Sequence, residues 1–138
     1  MPPAFLASPL HASAGWRLAA CGWAAAMAWG CLQDGSGAAQ GLWSLSLPHQ
    51  DKLAHAGMHA VLAWLLWRGR STDTHTVRCA ARIVAFCAAY GLAIEWGQWQ
   101  FTLTRSAEAL DALANTLGAI IGVTAGRWAG LRAPARTR

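Results

Sequence analysis

The stretch that decides the fold is Asp111-Ala112-Leu113-Ala114-Asn115-Thr116-Leu117-Gly118-Ala119-Ile120-Ile121-Gly122-Val123-Thr124-Ala125-Gly126. Residues three or four apart share one face of a helix. Asp111, Asn115, Gly118, Gly122 and Gly126 therefore form a single stripe, and Gly130 extends it. Most of the remaining positions are Ala, Leu, Ile or Val. A glycine stripe lets a second helix approach closely where no water drives the packing. The same stripe begins with two polar groups that need partners, which predicts that it packs inside the chain rather than at a dimer interface. A homo-oligomer stays open as the alternative.

Working outward, three more apolar runs appear. They cover about 17–32, 51–67 and 79–101, and the quoted stretch belongs to a fourth at 109–128. Gln33-Asp34-Gly35-Ser36-Gly37 reads as a loop after the first. The expected fold is all-α: a single domain, residues 1–138, of four transmembrane helices. Uncharged cores this short also suit a buried soluble bundle, unless terminal Trp and snorkelling Arg lengthen them.

Charge placement separates the two. With both termini cytoplasmic, the inner flanks hold Arg17, Arg68, Arg70, Arg78, Arg82, Arg127, Arg132, Arg136 and Arg138. Only Lys52 and Arg105 fall outside, so nine of the eleven basic residues obey the positive-inside rule. A soluble bundle has no reason to sort its arginines in this way.

Composition agrees. Charged residues make up 12% of the 138, about half the roughly 25% usual for soluble domains. Hydrophobic residues reach 55% and nine tryptophans are present. Such a chain cannot cover the surface of a small soluble monomer, and it is neither a disordered chain nor a disulfide scaffold. The net charge of +5 reads as membrane anchoring beside anionic lipid. No nucleic-acid partner is expected, because there is little polar face to carry a basic patch.

The N-terminal 17 residues hold three prolines and no charge before Arg17. Leu18-Ala19-Ala20-Cys21 has the look of a lipoprotein cleavage box, but Arg17 directly before it leaves no room for an apolar h-region. The first helix is thus expected to be a retained anchor. Cys21, Cys31, Cys79 and Cys87 show neither C-x-x-C nor zinc-finger spacing and are read as small packing residues.

The polar groups within the apolar runs carry the functional signal. Asp51, His55 and His59 recur every four residues along the second run, with Lys52 beside Asp51. Glu95 and Gln98 lie one turn apart near the end of the third, Arg105 follows, and Asp111 and Asn115 open the fourth. Under the four-span topology all of them meet near the outer membrane surface. An ionisable group in hydrocarbon costs several kcal/mol unless paired or hydrated. The expected outcome is a polar pocket in which these groups satisfy one another. Its plain structural counterpart is acids at helix starts and polar glue between helices.

Asp51-Lys52-x-x-His55, then Glu95-x-x-Gln98, Arg105, and Asp111-x-x-x-Asn115-Thr116-Leu117-Gly118-x-x-x-Gly122 together resemble the VanZ-like family. These are small multi-helix membrane proteins named for a teicoplanin-resistance determinant. The resemblance covers 51–122, and the order and spacing of the elements are more specific than any one of them. It implies a cell-envelope role, with the founding member associated with low-level glycopeptide tolerance, but no catalytic reaction. The family pattern carries an aromatic residue, often Tyr, where this chain has His59.

The leading functional expectation is a multi-pass protein of the bacterial cytoplasmic membrane that binds an envelope lipid or glycopeptide-related ligand. The lipid bilayer is its principal partner. Lys52, Arg105 and the histidines suit phosphate or carboxylate, while Asp51, Glu95 and Asp111 suit amines and hydroxyls. One alternative is a membrane-embedded enzyme using His55 and Glu95 as an acid–base pair, or His55 and His59 with a carboxylate as metal ligands. There is no H-E-x-x-H, Gly-x-Ser-x-Gly or phosphate loop, so no cofactor or metal is expected and catalysis is secondary. Another alternative is an assembly protein working through Gly118, Gly122 and Gly126. Proton or ion transport ranks last, since four short helices make a poor path unless they oligomerise.

Overall fold

A computed structural model of the chain describes residues 9–33, 50–70, 77–102 and 109–131. Among these residues there are four helices and no strand. They are α1 (Pro9–Cys31), α2 (Gln50–Gly69), α3 (Val77–Phe101) and α4 (Ala109–Leu131). The all-α expectation holds.

The helix ends differ from the sequence reading in a consistent direction. α1 starts at Pro9 rather than near Arg17, α2 runs on to Gly69, α3 begins at Val77 and α4 reaches Leu131. The expected spans began at Arg17, ended before Arg68 and began after Arg78, but arginine is a good helix former and snorkels from a helix side. Proline suits the first turn of α1, where its missing N–H is not needed. Arg17 is mid-helix, and its Nε donates to the carbonyl of Gly69 at 2.8 Å. A cation there satisfies an orphan carbonyl at the negative end of α2. Arg70 likewise donates to the Trp67 carbonyl and stacks over the Trp67 ring, 3.3 Å from its centroid.

The most extensive packing joins α2 to α4, which run parallel. α1 lies antiparallel to α2, and α3 antiparallel to α4. A Cβ on Gly118 would meet the carbonyl oxygen of Ala56, and one on Gly122 that of Ala60. The small residues of α2 thus sit directly on the glycines of α4, close enough for Cα–H···O contacts. Gly126 faces the Trp67 ring, while Gly130 meets nothing. The stripe faces α2 of the same chain through Gly126 and is open beyond it.

Three polar ties cross between helices in the body of the bundle. Trp23 Nε1 donates to the Met58 carbonyl at 3.0 Å, and Tyr90 Oη donates to the Ala24 carbonyl at 2.5 Å. Gln98 Nε2 donates to the Cys31 carbonyl at 2.9 Å. Cys31 and Cys87 are buried packing residues as expected, but Cys21 lies on an exposed face; all four cysteines are free thiols.

The polarity of the bundle is inverted relative to a soluble domain. Leu18, Trp29, Phe86, Trp96, Trp99, Phe101, Leu113, Ile121 and Trp128 are exposed, while His55, His59, Glu95, Gln98, Asp111 and Asn115 are buried. Apolar surface this extensive is a liability in water and a fit in lipid. α3 and α4 are long and apolar enough to cross a membrane. α1 and α2, with 23 and 20 residues, have the length but a lower mean hydropathy. In α2 the first turns hold Asp51, Lys52, His55 and His59. In α1, Gly and Trp lower a hydropathy score that ranks Trp as polar although it favours membrane interfaces.

Substituting Gly118 or Gly122 by Leu forces a side chain into the α2 backbone. Each change should lower stability in detergent by roughly 1–3 kcal/mol, the usual cost of overpacking. Gly130→Leu should leave the thermal midpoint unchanged. Equal effects at all three positions would rule out this packing.

Candidate functional site

The polar side chains enter from three helices at one end of the bundle. Asp51, Lys52 and His55 come from the first turns of α2, Glu95 and Gln98 from the last turns of α3, and Asp111 and Asn115 from the start of α4. Parallel α2 and α4 bring their N-terminal turns together, and antiparallel α3 adds its C-terminal turns. Asp51 and Asp111 also lie in first turns, where a carboxylate is favoured by the helix dipole.

Burial deepens along the cluster. The Asp51 side chain is 55% exposed at the rim, Lys52 19% and Asp111 10%. Lys52, the chain's single lysine, holds its ammonium 3.0 Å from Asp51 Oδ2 and 3.4 Å from Asp111 Oδ1. It thereby ties α2 to α4 across the mouth. Below it, His55 Nδ1 lies 3.2 Å from Asn115 Oδ1 and 3.6 Å from Glu95 Oε1. Asn115 is completely buried.

Gly91 makes room for this layer. A Cβ at Gly91 would come within 2.5 Å of Asn115 Nδ2. Gly91 and Glu95 are four residues apart, so the face of α3 that carries the carboxylate also carries the gap that accepts Asn115. Sequence reasoning passed over Gly91; its one available signal was this spacing from Glu95. Tyr90 and Trp23 were also missed, because their hydrogen bonds go to backbone carbonyls that no residue pattern reveals.

Two expected members take different positions. His59 is buried one turn below His55, where its Nδ1 donates to the His55 carbonyl at 3.0 Å. Its ring lies beside Tyr90, with centroids 6.4 Å apart. His59 is therefore a floor to the cluster, and the structure does not pair its imidazole with that of His55. Gln98 points to α1 through the Cys31 carbonyl and closes the end of α3, where Thr102 Oγ1 donates to the Gln98 carbonyl at 2.7 Å. Arg105 lies outside the described residues.

The chemistry on offer is acid-rich. Among the described residues, the ligand atoms of His55, Glu95 and Asp111 all come within 4.8 Å of one another. Asp111 Oδ1 and Asn115 Nδ2 are buried with no hydrogen-bond partner. A set of this kind can hold a cation, an amine or a hydroxyl, and the Lys52 ammonium at its mouth can meet an anion.

A polar interior, an apolar exterior and two helices of spanning length support the class of small helical membrane proteins. Within that class the chain belongs to the VanZ/LLP1 family, whose model matches residues 22–130. The match takes in α2 and α3 whole, nearly all of α4, and the second half of α1. No curated protein and no solved structure matches the chain.

The Gln98 tie gives a direct check on how α3 is anchored to α1. Gln98→Leu should cost about 1 kcal/mol, the typical net value of such a hydrogen bond. Gln100→Leu, at an exposed position, should fall within error. Unfolding in detergent measures both, and an unchanged Gln98→Leu midpoint would remove the tie.

Proposed function

We propose that this is a four-span protein of the bacterial cytoplasmic membrane, with both termini inside, whose polar cluster near the outer face binds the headgroup of an envelope lipid or glycopeptide-related molecule. The single observation that carries this reading is the convergence of α2, α3 and α4 on one buried cluster: His55, Glu95, Asp111 and Asn115, with Lys52 at its mouth. Side chains this polar are costly in hydrocarbon. They are kept where they pair with one another or with something that enters.

The orientation is supported by charge. Arg17, Arg68, Arg70, Arg78, Arg82 and Arg127 lie toward the start of α1, the end of α2, the start of α3 and the end of α4, which is one end of the bundle. Arg68 sits 5.2 Å from the Trp16 ring centroid, a pairing suited to the headgroup level. Lys52 and the described acids occupy the opposite end. The positive-inside rule puts the arginine end in the cytoplasm, and the polar cluster then opens outward, toward envelope precursors and their antibiotics. A part in glycopeptide tolerance belongs to the same reading.

Binding is preferred over catalysis because the cluster offers recognition groups without a nucleophile–base pair. The second reading, acid–base chemistry, draws on the 3.6 Å separation of His55 Nδ1 and Glu95 Oε1. It needs the two to close by several tenths of an ångström before a proton can pass between them.

The test is retention of lipid. Wild-type protein extracted with its surrounding membrane and analysed by native mass spectrometry should carry a specific envelope lipid or lipid-linked precursor. In the Glu95→Ala, Arg105→Ala double variant, at equal protein level, that species should fall at least tenfold. An identical lipid profile in the two proteins would reject the reading.

A further inference from the structure

We propose that His55, Glu95 and Asp111 form a binding site for one divalent transition-metal ion, with Asn115 as a supporting oxygen donor. The inference concerns the same cluster but holds whether or not a lipid binds there. It departs from the expectation of a metal-free protein, and from the His55–His59 pairing that helical spacing suggests. His59 has committed its Nδ1 to the His55 carbonyl. The atoms that meet instead come from three different helices.

Geometry is the first support. His55 Nδ1 and Glu95 Oε1 are 3.6 Å apart, beyond a good hydrogen bond. Ligands about 2.1 Å from a tetrahedral ion are separated by about 3.4 Å, so this pair already stands near the edge of a coordination polyhedron. One ligand atom from each of His55, Glu95 and Asp111 lies within 4.8 Å of the other two.

Buried oxygens beside His55 are the second support. Asp111, 7% exposed, has an Oδ1 that accepts no hydrogen bond, with Lys52 Nζ 3.4 Å away. Asn115, fully buried, presents its oxygen to His55 Nδ1 at 3.2 Å. When the His55 proton rests on Nε2, the lone pair of Nδ1 faces these oxygens. A cation is what a set of lone pairs without a shared proton attracts.

Charge is the third. Among the described residues of the cluster, Asp51, Glu95 and Asp111 oppose Lys52 alone, a formal balance of −2 with His55 neutral. One divalent ion would bring the cluster to neutrality, the condition for keeping carboxylates in a low-dielectric interior. One imidazole with carboxylate and amide oxygens suits Zn²⁺ or Mn²⁺, and lacks the thiolates that select softer ions.

The experiment uses the full chain in detergent, stripped with a chelator and then equilibrated with Zn²⁺ or Mn²⁺ alone. Elemental analysis after dialysis should find about one ion per chain, and the thermal midpoint should rise with ion concentration. Glu95→Gln and Asp111→Asn should each weaken binding at least tenfold, a loss no smaller than that from removing outer-shell partners. His59→Ala should keep the ion. A wild-type midpoint unmoved by either ion, with no stoichiometric metal, would overturn the site without any variant. So would equal binding by wild type, Glu95→Gln and Asp111→Asn. Loss of the ion in His59→Ala, with Glu95→Gln unaffected, would assign it to the histidine pair and equally overturn this site.

Discussion

Everything at the polar end depends on how closely α4 lies on α2. Gly118 and Gly122 leave no side chain between the two backbones, and Ala56 and Ala60 meet them with their carbonyl oxygens. Once that contact is made, helical geometry fixes what happens one turn earlier. Asn115 is brought against His55 and Asp111 against Lys52. Larger residues at the glycines would push the two backbones apart and loosen the polar contacts made by the turns before them. The apolar contact and the polar cluster are therefore one structural unit.

The other two helices complete that unit from outside. α3 supplies Glu95, and through Gly91 it supplies the space for Asn115. Among the described residues α1 lends no side chain to the cluster; it is tied to α3 through Ala24 and Tyr90 and through Cys31 and Gln98, and to α2 through Trp23 and Arg17. The motif residues that resemble the family lie between 51 and 122, and the family model extends the match back to residue 22, into the second half of α1. The chain's few charges are sorted in the same way. Arginines occupy the end where snorkelling and stacking on Trp16 and Trp67 hold them near water. Among the described residues the acids, Asp51, Glu95 and Asp111, occupy the other end, with Lys52.

Much of this was legible in the residues. The four-residue spacings of Asp51–His55 and Asp111–Asn115 place each pair on one face, and a stripe of glycines in an apolar helix has few readings other than close packing. The positions of the arginines sort the helix ends before any coordinates are known. Three things were not legible. Helix limits were cut short because arginine was read as a boundary, when a long side chain can leave a helix sideways. The partner of the glycine stripe could not be named, since Ala56 and Ala60 look like ordinary helix residues until two backbones touch. His59 carried the same spacing signal as His55, yet its ring nitrogen turned back to its own helix. Spacing assigns a face, but the hydrogen bond a side chain makes along its own helix decides whether it reaches a neighbour.

The central claim is that α2 and α4 bury His55 and Asn115 against each other. A double-mutant cycle with His55→Ala and Asn115→Ala, followed by reversible unfolding in detergent, tests it most directly. Direct contact predicts that the second substitution costs less once the first is made, with a coupling of about 1 kcal/mol, inside the range found for polar pairs between membrane helices. Strict additivity, with each change costing the same in either background, would contradict it.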